Sequence, residues 1–322
     1  MDSKFQKNHF LIWGAFSPVN MRTIEAYEND VKMQPEFLSQ FKKQKTLTKN
    51  QQKNTIFTGS GDSLASAMLA ESFSNFTVKA IDPLDLIKNI SIPKTKTVYF
   101  VSISGNTISN IKVAKNSKKS IAITSRSESR LAKACDASII LQSPNSDVFT
   151  AGSISFLESA LTCISLVCPI TIPKNNAIYK KAYEAAKKAK FGERIFVIGN
   201  MHTFPLAMYC AAKFYELLGY DAHYERIEQF SHMELFSTKK NDTVIIFEEK
   251  NYHTAQLVKN LKKIGLNVIL PNQNFSDKIS QIIFYTYFSQ LLPLFEAKKI
   301  GKKNCNFVLS KKLRRVSDNM IY

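Results

Sequence analysis

Short apolar runs alternate along this chain with longer segments in which apolar residues recur at helical spacing. Residues 55–58 and Thr97–Val101 are rich in β-branched and aromatic side chains, whereas residues 64–76 and the segment from Ile108 onward carry apolar residues three or four positions apart. Continuous apolar runs are typical of parallel strands covered on both faces, and the second spacing is that of helices. The pattern therefore predicts strand–turn–helix units of an α/β protein.

The alternation predicts one complete α/β unit over residues 46–172 and a second over residues 176–300. Within the first unit, further strands are predicted at residues 121–124 and 137–141, and further helices at residues 128–134 and Ile154–Val167. The second unit has similar segments in the same order, at residues 194–200, 206–218 and 243–247. Similarity of this kind indicates an internal repeat. We therefore expect two tandem domains, each with a mostly parallel sheet between helical layers in a flavodoxin-like arrangement.

Two segments flank these units. Residues 1–45 contain an isolated apolar patch at residues 10–16 and a predicted amphipathic helix over residues 22–43 that is interrupted by Pro35. A polar linker is predicted over residues 42–54, and residues 301–322 form a C-terminal tail.

The composition is that of a globular protein, with 322 residues of which 44% are hydrophobic and 11% aromatic. The five cysteines show neither metal-like nor disulfide-framework spacing, which indicates a reducing compartment. Polar residues and Pro169 interrupt the longest apolar run, residues 154–172, so a core helix is favoured over a membrane span. Since the polar start also does not resemble a signal peptide, we expect a cytoplasmic protein without membrane association.

The formal net charge of +18 raises the question of nucleic-acid binding. The lysines, however, are dispersed in pairs such as Lys42-Lys43 and Lys239-Lys240, and no recognised nucleic-acid motif accompanies them. We expect solvated helix faces and no nucleic-acid partner. A cationic surface would also steer small anionic substrates towards a cleft.

The turn Ser102-Ile-Ser-Gly-Asn-Thr107 joins the strand at Thr97–Val101 to the helix that follows. Gly105 allows close approach of the backbone, and Ser102, Ser104 and Thr107 supply hydroxyl groups beside unpaired helix amides, so the turn predicts a phosphate cradle. An ordinary helix cap is the alternative. Because the carboxyl ends of parallel strands lie at one edge of a sheet, this turn and Gly59-Ser-Gly61 are expected to converge on one cleft.

Glu216 lies in a predicted helix rich in Ala, Leu, Phe and Tyr, and His232 follows in an aromatic segment. Burial would raise the pKa of the glutamate towards the range useful to a general base, and imidazole titrates near neutral pH. Proton abstraction next to a carbonyl is therefore one interpretation. The alternative interpretation is that Glu216 faces solvent and that His232 has a structural role.

Taken together, Gly59-Ser-Gly61, Ser102-x-Ser-Gly-Asn-Thr107 and the spacing of Glu216 and His232 resemble the sugar isomerase (SIS) family. The resemblance covers about residues 22–318, including a leading helix with the Gln34-Pro35 pair. It is to two-domain members such as archaeal phosphoglucose/phosphomannose isomerases and the isomerase half of glucosamine-6-phosphate synthase.

The resemblance implies a cofactor-free and metal-free enzyme that acts on a phosphorylated sugar. Glu216 would move a proton between C1 and C2, His232 would assist ring opening, and Lys311 or Lys312 would be the family's lysine near the chain end. In the family the histidine commonly comes from the partner subunit, so a homodimer with a shared active site is implied. The residues implied in phosphate and sugar binding are Gly59, Ser60, Gly61, Ser102, Ser104, Gly105, Asn106, Thr107, Thr150 and Ser153.

Residues 147–156 depart from both relatives, because they contain neither the arginine of the phosphoglucose/phosphomannose isomerases nor the lysine of the synthase-like branch. In that region the chain has Thr150 and Ser153 instead. We expect an aldose–ketose isomerase acting on a hexose 6-phosphate. An amino-sugar-phosphate deaminase and a non-catalytic phosphosugar-binding protein remain as alternatives.

Overall fold

The structure is a computed structural model that describes residues 22–173, 176–271, 274–275 and 277–321. The apolar patch at residues 10–16 lies outside the described residues. Among them, the helices are α1 (Thr23–Gln40), α2 (Lys49–Lys53), α3 (Asp62–Phe73), α4 (Pro83–Lys88), α5 (Ile108–Ala114), α6 (Arg130–Ala134), α7 (Ile154–Val167), α8 (Ala177–Lys187), α9 (Phe204–Leu218), α10 (Ile227–His232), α11 (Tyr252–Lys263), α12 (Lys278–Lys299), α13 (Asn306–Leu309) and α14 (Lys311–Ile321). Short 3₁₀ helices lie at Pro93–Thr95, Met201–Thr203 and Glu234–Ser237.

The strands form two parallel sheets, which confirms the predicted α/β class. They are β1 (Thr55–Thr58), β2 (Lys79–Ala80), β3 (Thr97–Val101), β4 (Lys119–Thr124), β5 (Ala137–Ile140), β6 (Arg194–Gly199), β7 (Asp221–Glu225), β8 (Thr243–Phe247) and β9 (Asn267–Ile269). The first sheet has the order β2-β1-β3-β4-β5 and the second the order β7-β6-β8-β9.

Both sheets are covered by apolar side chains on each face, as the continuous apolar runs predict. In the second sheet, Ile195 and Val197 pack into the largest core cluster, whereas the intervening Phe196 and Ile198 pack into a separate cluster on the opposite face. Successive side chains of a strand point to opposite faces, so a strand covered on both sides needs apolar residues at every position. The apolar run is thus a consequence of helices lying on both sides.

The largest core cluster lies between the sheets and joins the two halves of the chain. Helix α9 packs against α3 of the first half and against α12 of the second. Buried aromatic residues fill this region, including Tyr27, Phe156 and Tyr209. The rings of Phe156 and Tyr209 stack with their centroids 3.6 Å apart. Side chains from both halves are therefore held in fixed positions around α9.

Helix α1 differs from its prediction in one respect, because it continues through Pro35 to Gln40. A proline inside a helix removes one backbone hydrogen bond. Here Val31, Phe37 and Leu38 on either side of it are buried, and this tertiary packing sustains the helix. The predicted polar linker likewise contains the short helix α2, which begins with a capping box between Thr48 and Gln51.

Helices long and apolar enough to cross a membrane do not occur in the part of the chain that the structure describes.

Candidate functional site

The turn between β3 and α5 closes around Gly105. The amide of Gly105 donates to the Ser102 carbonyl at 3.1 Å, and its own carbonyl accepts from the amide of Leu131 at 2.8 Å. Its φ of +62° is one that glycine adopts readily, and an added Cβ would lie 2.1 Å from the Ser129 hydroxyl oxygen. Glycine is therefore required here for both conformation and space.

The hydroxyls of Ser102 and Thr107 face each other across this turn, 3.4 Å apart, and both residues are buried. Thr107 stands at the start of α5, but its side chain makes no capping hydrogen bond to the helix. The Ser104 hydroxyl accepts weakly from the amide of Asn106, at 3.4 Å. The ordinary capping role is thus not fulfilled by Thr107, and its hydroxyl remains available to a ligand.

The second glycine turn, between β1 and α3, lies beside the first. A Cβ on Gly59 would lie 2.8 Å from the backbone of Ser63, and Gly61 has a φ of +58°. Ser60, between them, is exposed. Ser60 and Thr107 line the same pocket of about 290 Å³, together with Asp82, Pro83, Leu84, Ile87, Ile108, Ser109, Lys112, Asn319 and Met320.

Glu216 lies on α9 and is held by a lysine one turn earlier on the same helix. The ammonium of Lys213 donates to Glu216 Oε2 at 2.5 Å and to Asp62 Oδ2 at 2.7 Å. The Lys213 side chain is 0% exposed, whereas that of Glu216 is 33% exposed and that of Asp62 is 23% exposed. A buried lysine is thus enclosed by two carboxylates that themselves reach solvent.

The electrostatics of this cluster bring the pKa of Glu216 close to neutral pH. Burial, opposed by the Lys213 ammonium and assisted by the Asp62 carboxylate, raises the pKa of Glu216 to about 7. Burial alone would lower the pKa of Lys213, but the charges of Asp62 and Glu216 outweigh it and raise that pKa. Lys213 therefore stays charged, and Glu216 can accept and return a proton at neutral pH.

Thr150 and Ser153 lie on either side of a segment that packs against this cluster. Gly152 between them accepts a hydrogen bond from the Tyr209 hydroxyl at 2.8 Å, and a Cβ on Gly152 would lie 2.6 Å from Asp62 Oδ2. Thr150 donates its hydroxyl to the carbonyl of Thr23 at 3.0 Å. The Ser153 hydroxyl is buried and has no hydrogen-bond partner. The structure thus gives Thr150 a partner in α1 and leaves the Ser153 hydroxyl unpartnered.

Among the described residues, neither His232 nor Lys311 makes a hydrogen bond or ion pair with Glu216. His232 ends α10 with its side chain 72% exposed, and its Nε2 lies 3.2 Å from Glu228 Oε1. Lys311 and Lys312 are exposed at the start of α14.

The corresponding edge of the second sheet has a different chemistry. Glu248 follows β8, where the first sheet has Ser102, and its pKa is raised by burial although the Asn200 side chain donates to it. His202 Nε2 lies 2.5 Å from Gln281 Oε1 nearby. Residues 248–253, which follow β8, contain neither the glycine nor the small hydroxyls of the turn at residues 102–107.

The sequence interpretation did not include Asp62 or Lys213. Asp62 directly follows the predicted Gly59–Gly61 turn, and Lys213 stands three residues before Glu216 on the same helix face. A lysine among the apolar residues of α9 was the available signal, since a buried ammonium requires a carboxylate partner.

Several solved structures share this fold, among them enzymes that are named for sugar phosphates. Glucosamine-6-phosphate deaminase from Thermotoga maritima superposes with a TM-score of 0.70 at 18% identity, covering 86% of this chain and 96% of that one. This chain therefore shares the fold of that deaminase. Tagatose-6-phosphate ketose/aldose isomerase from Escherichia coli superposes with a TM-score of 0.67 at 17% identity, covering 86% of this chain and 93% of that one.

A third similar structure is the C-terminal domain of glucosamine-fructose-6-phosphate aminotransferase from Francisella tularensis. Its TM-score is 0.68 at 16% identity, and the match covers 86% of this chain and 96% of that domain. No family model matches the sequence, and no curated protein matches it. Similarity at these identities establishes the fold, whereas the chemistry has to be argued from the site.

Proposed function

We propose that this protein is an aldose–ketose isomerase that acts on a hexose 6-phosphate. The observation that carries the proposal is that the β1–α3 turn contributes both to the pocket of the cradle and to the ion pairs of Glu216. Ser60 lines a pocket with Thr107, Asp62 begins the helix two residues later, and Asp62 holds Lys213 against Glu216. The turn that carries Ser60 thus leads directly into the ion pairs around Glu216, whose pKa is about 7, and this supports a common site.

In the proposed reaction the hydroxyls of Ser60, Ser102, Ser104 and Thr107 donate to the substrate phosphate. Glu216 removes the proton from C2 of the open-chain aldose, the electron pair moves to form the C1–C2 double bond, and O1 takes up a proton to give an enediol. The O2 proton then leaves, C2 becomes a carbonyl, and Glu216 returns its proton to C1. One base therefore serves both half-reactions, as its pKa near neutral pH allows.

The proposed architecture is two tandem SIS domains over residues 46–172 and 176–300, with residues 1–45 leading into the first and residues 301–322 as a tail. We propose a homodimer in which His232 of the partner subunit assists ring opening. Its exposure at the end of α10 supports this role, because the side chain is accessible to a second copy. Lys311 or Lys312 would complete the site.

An amino-sugar-phosphate deaminase is the second candidate. The deaminase from Thermotoga maritima shares the fold, and the cluster of two carboxylates with one ammonium suits a substrate that carries an amino group. A deaminase would use the same proton transfer and would also release ammonia.

The test is incubation of the purified protein with glucose, mannose and glucosamine 6-phosphates in deuterated water. Isomerase activity predicts ketose formation with deuterium at the carbon that gains the proton, and deaminase activity predicts ammonia as well. Glu216→Gln should lower turnover by roughly 10²–10⁴ with little change in substrate binding. Glu184→Gln is the matched control, because Glu184 is an exposed glutamate on α8. A protein that binds these sugars without proton exchange or ammonia release would be a non-catalytic binder.

A further inference from the structure

Lys213 is held on three sides within the core. Its ammonium donates to Asp62 at 2.7 Å and to Glu216 at 2.5 Å, and it lies 4.7 Å from the centre of the Tyr209 ring. An ammonium has three donors, and two carboxylates and an aromatic face occupy its surroundings here. The position of the Lys213 charge relative to Glu216 thus depends on Asp62.

Asp62 reaches this lysine from the first half of the chain, 151 residues away in sequence. It is the first residue of α3, and Gly61 before it has the positive φ that turns the chain into the helix. Gly152 packs against the carboxylate so closely that a Cβ would lie 2.6 Å from Asp62 Oδ2. Its other oxygen, Oδ1, is buried and has no hydrogen-bond partner. Asp62 is therefore fixed by its backbone and by its neighbours.

The cluster has an excess of negative charge when both carboxylates are ionised. Among the described residues, the other titratable groups that act on this region are Tyr27 from α1, Tyr209 and Cys210 on α9, and Cys305 before α13. Burial raises the pKa of each. These four are neutral near pH 7. Lys213 and Asp62 are consequently the two charges that determine how readily Glu216 is protonated.

We propose that Asp62 is a positioning residue for the base: it holds the Lys213 ammonium against Glu216 and places a second negative charge beside it. This inference rests on the proposed role of Glu216 as the base. Without the Asp62 charge, the Lys213 ammonium would pair with Glu216 alone. The ionised form of Glu216 would then be favoured, and its pKa would fall. Glu216 would then be a weaker base at neutral pH.

The test is the pH dependence of kcat/KM for wild type and Asp62→Asn, which keeps the side-chain shape and removes the charge. We expect the acid limb to move to lower pH by about one unit, because the like charge is lost. Asp62→Ser provides the same comparison should the amide variant not fold. Glu71→Gln is the matched control, since Glu71 lies on the same helix and pairs with Lys79 instead.

A second readout does not depend on turnover. In protein labelled with ¹³C at glutamate side-chain carboxyls, the Glu216 resonance is identified by its absence in Glu216→Gln and is titrated in both backgrounds. A Glu216 titration that moves down in Asp62→Asn supports the inference even if the wild type turns over no phosphosugar, in which case the proposed function fails alone. An unchanged titration and acid limb, with only lower thermal stability, would reduce Asp62 to a structural ion pair and overturn the inference.

Discussion

Gly105 and Ser129 lie so close together that a Cβ on Gly105 would be 2.1 Å from the Ser129 hydroxyl oxygen. Ser129 is itself fixed, because its hydroxyl accepts from the amide of Ala132 and so caps α6. The β3–α5 turn is therefore held in place by close packing against the β4–α6 turn of the same sheet. A side chain at position 105 would displace the loop that carries Ser102 and Thr107.

Gly105→Ala is expected to destabilise the protein by about 1–3 kcal/mol, since it combines a positive φ with this overlap. It should also weaken phosphosugar binding, because the hydroxyls of the turn shift. Chemical denaturation and calorimetry measure the two effects. Gly301→Ala is the control, since Gly301 has a φ of +69° with no atom within 4 Å of an added Cβ. Equal effects of the two variants on binding would contradict the assigned role of the turn.

Replacement of both Ser104 and Thr107 by alanine should weaken phosphosugar binding tenfold or more while leaving the fold intact. Hydrogen bonds to charged groups each contribute about 1.5–3 kcal/mol, and these hydroxyls are proposed to donate to the phosphate. Thr95→Ala with Ser117→Ala is the matched control, because these hydroxyls donate to nearby carbonyls at 3.0 Å and 2.9 Å instead. Calorimetry that finds unchanged affinity in the first double variant would remove the cradle from the proposed site.

Asp30 is expected to make the protein less stable as the pH rises from about 4 to 6. Burial raises the pKa of this carboxyl to about 6, although it accepts from the Ser146 amide at 2.8 Å. Because its pKa is higher in the folded state, the protonated Asp30 carboxyl contributes fully to the free energy of unfolding below the unfolded-state pKa. That contribution is lost as the pH rises through the folded-state pKa. The rise of about two pKa units corresponds to a loss of about 3 kcal/mol in the free energy of unfolding.

Asp30→Asn removes this titration and keeps an oxygen for Ser146. Urea denaturation at pH 4 and pH 7 should therefore show a smaller loss of stability with rising pH than in the wild type. Asp85→Asn on the exposed face of α4 serves as the control. The explanation fails if the wild type and Asp30→Asn lose the same stability between the two pH values.

His232 gives a test of the proposed shared site. When Glu216→Gln and His232→Ala proteins are mixed and allowed to exchange subunits, hybrid dimers would contain one site with both native residues. At equal amounts, random exchange should restore about a quarter of the wild-type activity above that of the separate variants. If native mass spectrometry shows hybrid dimers but no activity is recovered, His232 either serves the active site of its own subunit or takes no part in the reaction.

The local pattern of the sequence was sufficient for the strand–turn–helix order and for the glycine turn after β3. The sequence of Thr97–Val101 predicts a buried strand. The structure has this strand, followed by the predicted turn and helix α5. The need for glycine at position 105 follows from the turn itself. Because parallel strands align their carboxyl ends, the common pocket of Ser60 and Thr107 could also be expected.

Tertiary structure alone decided which charges meet around Glu216. Pro35 reads locally as an interruption, and only the packing of α1 shows that the helix continues. Glu216 reads as a carboxylate in an apolar helix, but its pKa depends on Lys213 and on Asp62 from a distant turn. Hydrophobic periodicity repeats within a few residues and is visible in a short window. The free energy of a buried charge depends on distance and solvent exclusion, and the folded chain sets both.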